Sequence, residues 1–166
     1  MTAFSDLPEL ILGPLAGRSD DEWFRAPPGV WCAGEVVDHL AIAIENSAEA
    51  FTLRADKPPM QRRPRPVIQT LASHLLLTTG WFPPGRRAPE RTLPSPRPER
   101  ASTEARLRAG VAAFLDLERR LLPQRAFDLY VKHPVLGDLT LGEFMTFHVH
   151  HAAHHRKQIV RRIRSA

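Results

Sequence analysis

Four long segments in which apolar residues recur every three or four positions constrain this 166-residue chain more than any other feature. That spacing places the apolar side chains on one side of an α-helix. The predicted helices run from Ser5 to about Gly17, from Ala33 to about Arg54, from Glu99 or Ser102 to Leu122, and from Leu141 to about Ile163. Strand signals are confined to the short run 127–131, so we predict an all-α antiparallel four-helix bundle.

Signals at the helix ends support this division. Ser5 is a candidate N-cap of the first helix, Pro14 should shorten that helix, and Pro123 is predicted to end the third. Residues 133–140 are predicted to form a turn before the last helix. Three helix starts have the spacing of a capping box, namely Ser19 with Glu22, Cys32 with Glu35, and Thr140 with Glu143.

The long connection between the second and third core helices has an unusual composition. Between Arg54 and Arg100 lie ten basic and three acidic residues, together with ten of the sixteen prolines. Loops around one shorter helix, Val67 to Thr79, are predicted here. The formal net charge of +5 is compatible with a nucleic-acid partner, but only Trp81 and Phe82 could stack on bases in this segment. A solvated arginine surface is the simpler interpretation, and we expect no nucleic-acid partner.

Other features limit the class of protein to which this chain can belong. The single cysteine, Cys32, cannot form a disulfide within the chain, which fits a reducing compartment. No stretch approaches the 18 or so apolar residues that a membrane span requires. We therefore expect a cytoplasmic protein with no membrane association, folded as one domain over residues 1–166.

Histidines are concentrated in the last predicted helix. Six of the eight lie between 133 and 155, and His148, His151 and His155 fall on its apolar stripe. Burying three imidazoles leaves polar nitrogens without partners, and one metal ion would satisfy several of them together. His151 and His155 have the i, i+4 spacing that lets two rings converge on one ion.

A third metal ligand should come from another helix. His39 is the only histidine of the second predicted helix and lies at the edge of its apolar stripe. Three neutral imidazoles would leave a coordination position for water or substrate, as in catalytic sites, and would suit zinc, nickel or ferrous iron. The alternatives are a hydrogen-bonded core histidine at 39 and an exposed histidine tract at the last helix.

The remaining histidines invite different interpretations. His148 lies one turn before His151, and four interpretations are open: an extra metal ligand, a proton shuttle, a residue that supports the ligands from outside, or a packing residue. We favour the shuttle or the supporting residue. His154 is expected off the stripe beside Gln158, and His150 is expected to face solvent. His133 is interpreted as a turn residue, and His74 has no expected chemical role.

Two segments resemble the DinB-like family, named for DNA-damage-inducible proteins, which includes bacillithiol-transferase-like proteins. The first is WCAGEVVDHL at 31–40, and the second comprises HPVLGDLT at 133–140 followed by HAAHHRKQI at 151–159. With the helix pattern, the resemblance spans nearly the whole chain. Two departures are Cys32 in place of the usual capping serine or threonine and the arginine- and proline-rich middle segment.

The resemblance implies a four-helix bundle whose metal is held by one histidine of the second helix and an H-x-x-x-H pair of the fourth. Those positions match His39, His151 and His155, the residues that the spacing selects. Members of the family include metal-dependent thiol transferases that use low-molecular-weight thiols, a maleylpyruvate isomerase and hydrolases. A homodimer is also plausible from the resemblance.

These observations give one leading hypothesis and one alternative. The first is a metal-dependent transferase or hydrolase acting on a small molecule, with a divalent cation and possibly a low-molecular-weight thiol as cofactors. Asp38 and Glu35 are candidates to orient the ligands, although Asp38 points in another direction and could be solvated, and arginines of the middle segment could bind an anionic group. The alternative is a metal- or small-molecule-binding protein without catalysis, for example in a stress response.

Overall fold

The computed structural model describes residues 2–83, 85 and 87–164. Within them the helices are α1 (Leu7–Leu12), α2 (Asp20–Phe24), α3 (Ala33–Ala55), α4 (Val67–Thr79), α5 (Arg100–Arg125) and α6 (Leu141–Arg164), and the strands are β1 (Val131–His133) and β2 (Gly137–Leu139). Short 3-10 turns cover Phe4–Asp6, Gly13–Leu15 and Glu90–Thr92. Helices dominate the fold, and α1, α3, α5 and α6 form the predicted bundle.

Pairs of residues between helices fix the directions of the bundle. Asp38 pairs with Arg106 and Phe51 packs on Phe114, so α3 and α5 run the same way. Phe51 also packs on Phe144, whereas His39, near the start of α3, meets residues late in α6. The helix α6 is therefore antiparallel to α3.

The fourth helix of the bundle runs parallel to α6. Phe4, just before α1, packs near His148, and Gly13 at the end of α1 lines the same groove as Ile163. Two helices thus point each way in an antiparallel bundle. The helices α3 and α5 follow one another in the bundle and share a direction, so they need a long crossover, which residues 56–99 provide.

A cluster of aromatic rings fills the middle of the bundle. Phe4 and Phe51 both pack on Phe114, with ring centroids 5.2 and 6.1 Å away, and Phe51 lies 5.3 Å from Phe144. Leucine and isoleucine side chains extend this core in both directions along the helices. The core therefore holds α3 and α6 in a fixed register, on which any site between them depends.

The sequence predicts only a turn where the structure has the hairpin β1–β2. Val131 pairs with Leu139 and His133 with Gly137, around a three-residue loop. Gly137 has a φ of +77°, a backbone conformation that favours glycine at this turn. Strands of three residues are too short for an alternating pattern to reveal them, and the candidate run 127–131 overlaps them only at Val131.

Charged side chains fasten the first part of the crossover to this hairpin. The Arg63 guanidinium and backbone N–H both donate to the buried carboxylate of Asp138, and Arg62 pairs with Glu143 at 2.6 Å. The Arg63 guanidinium lowers the pKa of Asp138. Arg63 therefore fastens the crossover to the hairpin while its side chain stays 57% exposed, so this arginine-rich surface is solvated and structural at once.

Several local predictions are confirmed and two are wrong. The capping boxes at Ser19, Cys32 and Thr140 are present. Ser5 caps no helix, because the chain enters α1 through the 3-10 turn Phe4–Asp6. Pro123 lies inside α5, because a proline near the end of a helix removes only one backbone hydrogen bond.

The end of α5 is held from outside the helix. Arg125 donates to Asp128 at 3.1 Å and to the carbonyl of Ala55 at the end of α3. These contacts stabilise the turn beyond the proline.

In the described part of the chain, no helix combines the length and apolar character needed to cross a bilayer.

Candidate metal centre

Three histidine rings from two helices meet at one point between α3 and α6. His39 Nε2 lies 3.4 Å from His151 Nε2, and His155 Nε2 lies 3.0 Å from the same atom. The three nitrogens all lie within 4.8 Å of one another. The i, i+4 spacing of His151 and His155 places both rings on the face of α6 that α3 covers. The structure therefore brings together the three residues that the sequence selects.

These separations suit one shared cation. Nitrogens bound at 2.0–2.1 Å in a tetrahedral arrangement lie roughly 3.3–3.4 Å apart. The two short nitrogen distances at His151 bracket that range, at 3.0 and 3.4 Å. His39 and His155 are 4% and 8% exposed, so two of the three rings have almost no contact with water.

Outer hydrogen bonds fix which nitrogen of two rings carries the proton. His39 Nδ1 lies 2.6 Å from the carbonyl oxygen of Thr92, and His155 Nδ1 lies 2.8 Å from Gln158 Oε1. Both partners are acceptors, so both Nδ1 atoms carry hydrogen and donate. The lone pairs of His39 Nε2 and His155 Nε2 therefore both face His151.

The three rings cannot provide a hydrogen-bond partner for every facing nitrogen by bonding only to one another. A proton on His151 Nε2 could be donated well to only one of the two facing lone pairs, which leaves the other unpaired in a buried site. A single divalent cation accepts all three lone pairs at once. The donor set therefore fits a metal ion.

The electrostatic surroundings keep the three rings neutral. Burial, the largest cause, lowers the pKa of His39 and His151, and lowers that of His155 to about 3. The neighbouring imidazoles lower the pKa of His151 and His155 further. Neutral imidazole is the form that binds metals, so no proton needs to leave before an ion binds near neutral pH.

A family comparison agrees with this geometry. The model for the DinB superfamily matches residues 3–159, which include all three histidines. The chain belongs to the DinB superfamily. No curated protein and no solved structure matches the chain.

Aromatic rings enclose the histidine cluster of this DinB-superfamily chain. Trp31 lies 5.1 Å from the His39 ring, and Phe147 stacks on His151 at 5.2 Å. Phe82, from the crossover, lies 5.6 Å from His151. An apolar enclosure of this kind limits access of bulk water and strengthens electrostatic interactions inside it.

His148 lies beside the cluster but outside it. Its ring is 1% exposed, and it packs among four phenylalanines, Phe4, Phe114, Phe144 and Phe147. Both ring nitrogens are buried without a hydrogen-bond partner among the described residues. Burial lowers its pKa to about 3, so the ring is neutral near pH 7.

The other histidines have structural surroundings. His154 accepts from Gln158 Nε2 at 3.3 Å, off the apolar stripe as expected. His133 accepts from two backbone N–H groups of the hairpin turn, as a turn residue would. His150 does not simply face solvent, because its Nε2 lies 3.2 Å from the carbonyl of Leu77 and donates to it. His74 is exposed on α4.

Asp38 and Glu35 do not contact the ligands. Asp38 is 1% exposed rather than solvated, and it accepts from Ser95 N at 2.9 Å and pairs with Arg106 at 2.9 Å. Glu35 caps α3 through the backbone N–H of Cys32. The residues that do orient the ligands, Thr92 and Gln158, were not assigned this role from the sequence.

Proposed function

We propose that this DinB-superfamily protein is a metal-dependent enzyme, a transferase using a low-molecular-weight thiol or a hydrolase using water, which acts on a small molecule. The observation that carries the proposal is the orientation of His39 Nε2 and His155 Nε2, whose lone pairs both face His151. A divalent cation bound there, zinc, nickel or ferrous iron, would supply Lewis acidity that lowers the pKa of a thiol or water.

The residues of this chain would perform three tasks in such a reaction. His39, His151 and His155 hold the cation and leave at least one position open for a substrate group. Thr92 and Gln158 hold two of the rings in the ligating tautomer. Trp31, Phe82 and Phe147 shield the position from bulk water.

Binding of an anionic substrate group requires a positively charged side chain that is not already paired with a carboxylate of the protein. Arg62 and Arg63 are engaged by Glu143 and Asp138 and are poorly suited to this task. Arg91 precedes Thr92 in the chain, and no carboxylate pairs with it among the described residues. We assign the anion-binding role to Arg91 within this proposal.

His148 belongs to the proposal as an outer residue of the site. It precedes His151 by one helical turn, so the two side chains project from neighbouring positions on the same side of α6. A neutral ring in a phenylalanine cage is better suited to positioning His151 than to carrying protons. Substituting His148→Gln should therefore weaken metal affinity without changing the dependence of kcat on pH.

The burial of the ligands favours a second candidate, a protein that binds metal without catalysis. Two of the ligating rings are less than a tenth exposed, which restricts the approach of a substrate. Protein purified without a histidine tag and loaded with zinc, nickel or ferrous iron should be assayed for thiol transfer to several electrophiles and for ester and amide hydrolysis. Turnover that His151→Ala abolishes supports the enzyme; full metal loading with no turnover in any assay supports the binding protein.

A further inference from the structure

The hydrogen bond that orients one ligand ring continues beyond its first partner. His155 Nδ1 donates to Gln158 Oε1 at 2.8 Å, and the other end of the same amide, Gln158 Nε2, lies 3.3 Å from His154 Nε2. An amide nitrogen only donates, so His154 Nε2 accepts this bond and carries no hydrogen. The three side chains therefore form one continuous series of hydrogen bonds that leads from His154 to a ring of the candidate metal centre.

Helix spacing makes this series possible. Gln158 follows His154 by four positions and His155 by three, so its amide lies beside both rings on α6. The centroids of the two rings are 5.1 Å apart, and the rings stand nearly perpendicular, with an interplanar angle of 86°. One amide therefore bridges two adjacent histidines, of which only His155 faces the other two ligand rings.

Only one arrangement of this series leaves His155 able to bind a cation. Binding through Nε2 requires the ring hydrogen to be on Nδ1, which in turn requires the Gln158 oxygen beside it. The amide nitrogen then points toward His154 Nε2. An amide turned over would place a donor at His155 Nδ1 and move the ring hydrogen to Nε2, where it would exclude the ion. The orientation of one amide thus decides whether His155 is a ligand.

We propose that His154 is a positioning residue of the metal centre, which holds the Gln158 amide with its oxygen toward His155. The inference rests on the proposed metal-dependent function. Gln158 has a long and partly exposed side chain, so an amide bonded at one end only could rotate into solvent or turn over. A partner at each end of the amide opposes both motions.

The crossover in turn supports the ring of His154. Phe82 packs on that ring, with centroids 4.9 Å apart and an interplanar angle of 38°. The same crossover carries Thr92, whose carbonyl accepts from His39 Nδ1. The outer support of ligand rings on α3 and on α6 therefore leads to the same segment of the chain.

The first test compares two substitutions at His154 by zinc affinity, measured by competition with a chromophoric chelator at about pH 8, where free imidazole is neutral. His154→Phe keeps a ring against Phe82 but removes the acceptor, so it should weaken zinc binding about three- to tenfold. His154→Gln places an acceptor oxygen near the position of Nε2 and should stay within about twofold of the wild type. Equal affinities of all three proteins, or equal losses in both variants, would overturn the proposal.

A double-mutant cycle shows whether His154 acts through Gln158. In the Gln158→Leu background, His154→Phe should weaken zinc binding no further, because the side chain through which His154 acts is gone. Losses that multiply in the double variant would mean a direct effect of His154 on the ligand rings and would overturn the proposal.

Nitrogen NMR of the metal-free protein tests the proposal without a bound ion. The ¹⁵N chemical shifts of the imidazoles report which ring nitrogen carries hydrogen. His155 should be the Nδ1–H tautomer in the wild type and in His154→Gln, and a mixture of both tautomers in His154→Phe. The Nδ1–H tautomer alone in all three proteins would overturn the proposal. The expected tautomers in a wild type that binds no zinc would support this role of His154 and refute the metal-dependent function.

Discussion

His39 Nε2 lies 3.4 Å from His151 Nε2, although 112 positions separate the two residues in the chain. The contact depends on the antiparallel packing of α3 on α6 and on the outer bonds that orient the rings. The hydrogen bonds of Thr92 and Gln158 then decide which nitrogens face each other. The site is thus a product of helix register and of these outer partners together.

Gln158→Leu should weaken metal binding while leaving the fold intact. Loss of the acceptor for His155 Nδ1 frees that ring to rotate or to change tautomer, and loss of such outer partners typically costs about 10–100-fold in metal affinity. Competition with a chromophoric chelator measures the effect. Gln158→Glu retains the acceptor oxygen and should bind metal within a few-fold of the wild type; equal affinity of the leucine variant would show that the bond is irrelevant.

Asp38→Ala should destabilise the fold by about 2–4 kcal/mol. The carboxylate is 1% exposed and accepts from Ser95 N and Arg106, so its removal leaves the Arg106 guanidinium and the Ser95 N–H without this partner and loosens the crossover that carries Thr92. Urea unfolding measures the free energy. The control is Glu45→Ala, which removes a mostly exposed partner of the same arginine and should cost less than about 0.5 kcal/mol. Similar losses in both variants would contradict this interpretation of Asp38.

Gly80→Ala should cost more than the same change at Gly17. Both glycines have positive φ, +67° and +70°, which alone penalises alanine by about 1 kcal/mol. At Gly80 the new Cβ would also lie 2.6 Å from His150 Nδ1, whereas nothing lies within 4 Å at Gly17. Displacement of His150 would also break its bond to Leu77, so we expect a total of about 2 kcal/mol in urea unfolding. Equal costs at the two positions would show that the contact with His150 is unimportant.

Acid should destabilise the fold partly through His133. Burial, assisted by the charge of Arg91, lowers its pKa from 6.5 to about 4 in the folded state. Between those pH values the unfolded chain binds more protons, so stability is lost as the pH falls from 6.5 to 4, by up to about 3 kcal/mol. His133→Asn retains an acceptor for the turn but cannot titrate.

The comparison is made by urea unfolding of both metal-free proteins at several pH values. Other buried histidines titrate in both proteins, so the difference between the two curves reports on His133. The variant should lose less stability than the wild type over this range. Parallel curves would mean that His133 contributes nothing to the pH dependence.

The sequence predicts the long helices and the histidine cluster because both depend on spacing within a helix. His151 and His155 are fixed by their i, i+4 relation, and α3 has a continuous apolar stripe that carries His39. The DinB-like resemblance identified the same three residues independently. The role of Gln158 could also have been predicted from the sequence, since an acceptor three residues after a ligating histidine lies beside the histidine ring.

Other features depend on tertiary structure. Thr92 serves through its backbone carbonyl and is 53 positions from His39, so its residue type carries no signal. Asp38 is buried only because α5 and the crossover bring Arg106 and Ser95 to it. The helix α5 continues past Pro123, where Arg125 bonds to Asp128 and to the carbonyl of Ala55. No local sequence pattern predicts these contacts.

The central claim is that three imidazoles share one cation. The most direct test is the metal content of untagged protein after incubation with zinc or nickel and removal of free ion. The wild type and the control His74→Ala, at an exposed histidine of α4, should retain about one ion per chain, whereas His39→Ala, His151→Ala and His155→Ala should each lose it. No bound ion in the wild type, or full retention in the His151→Ala variant, would contradict the account.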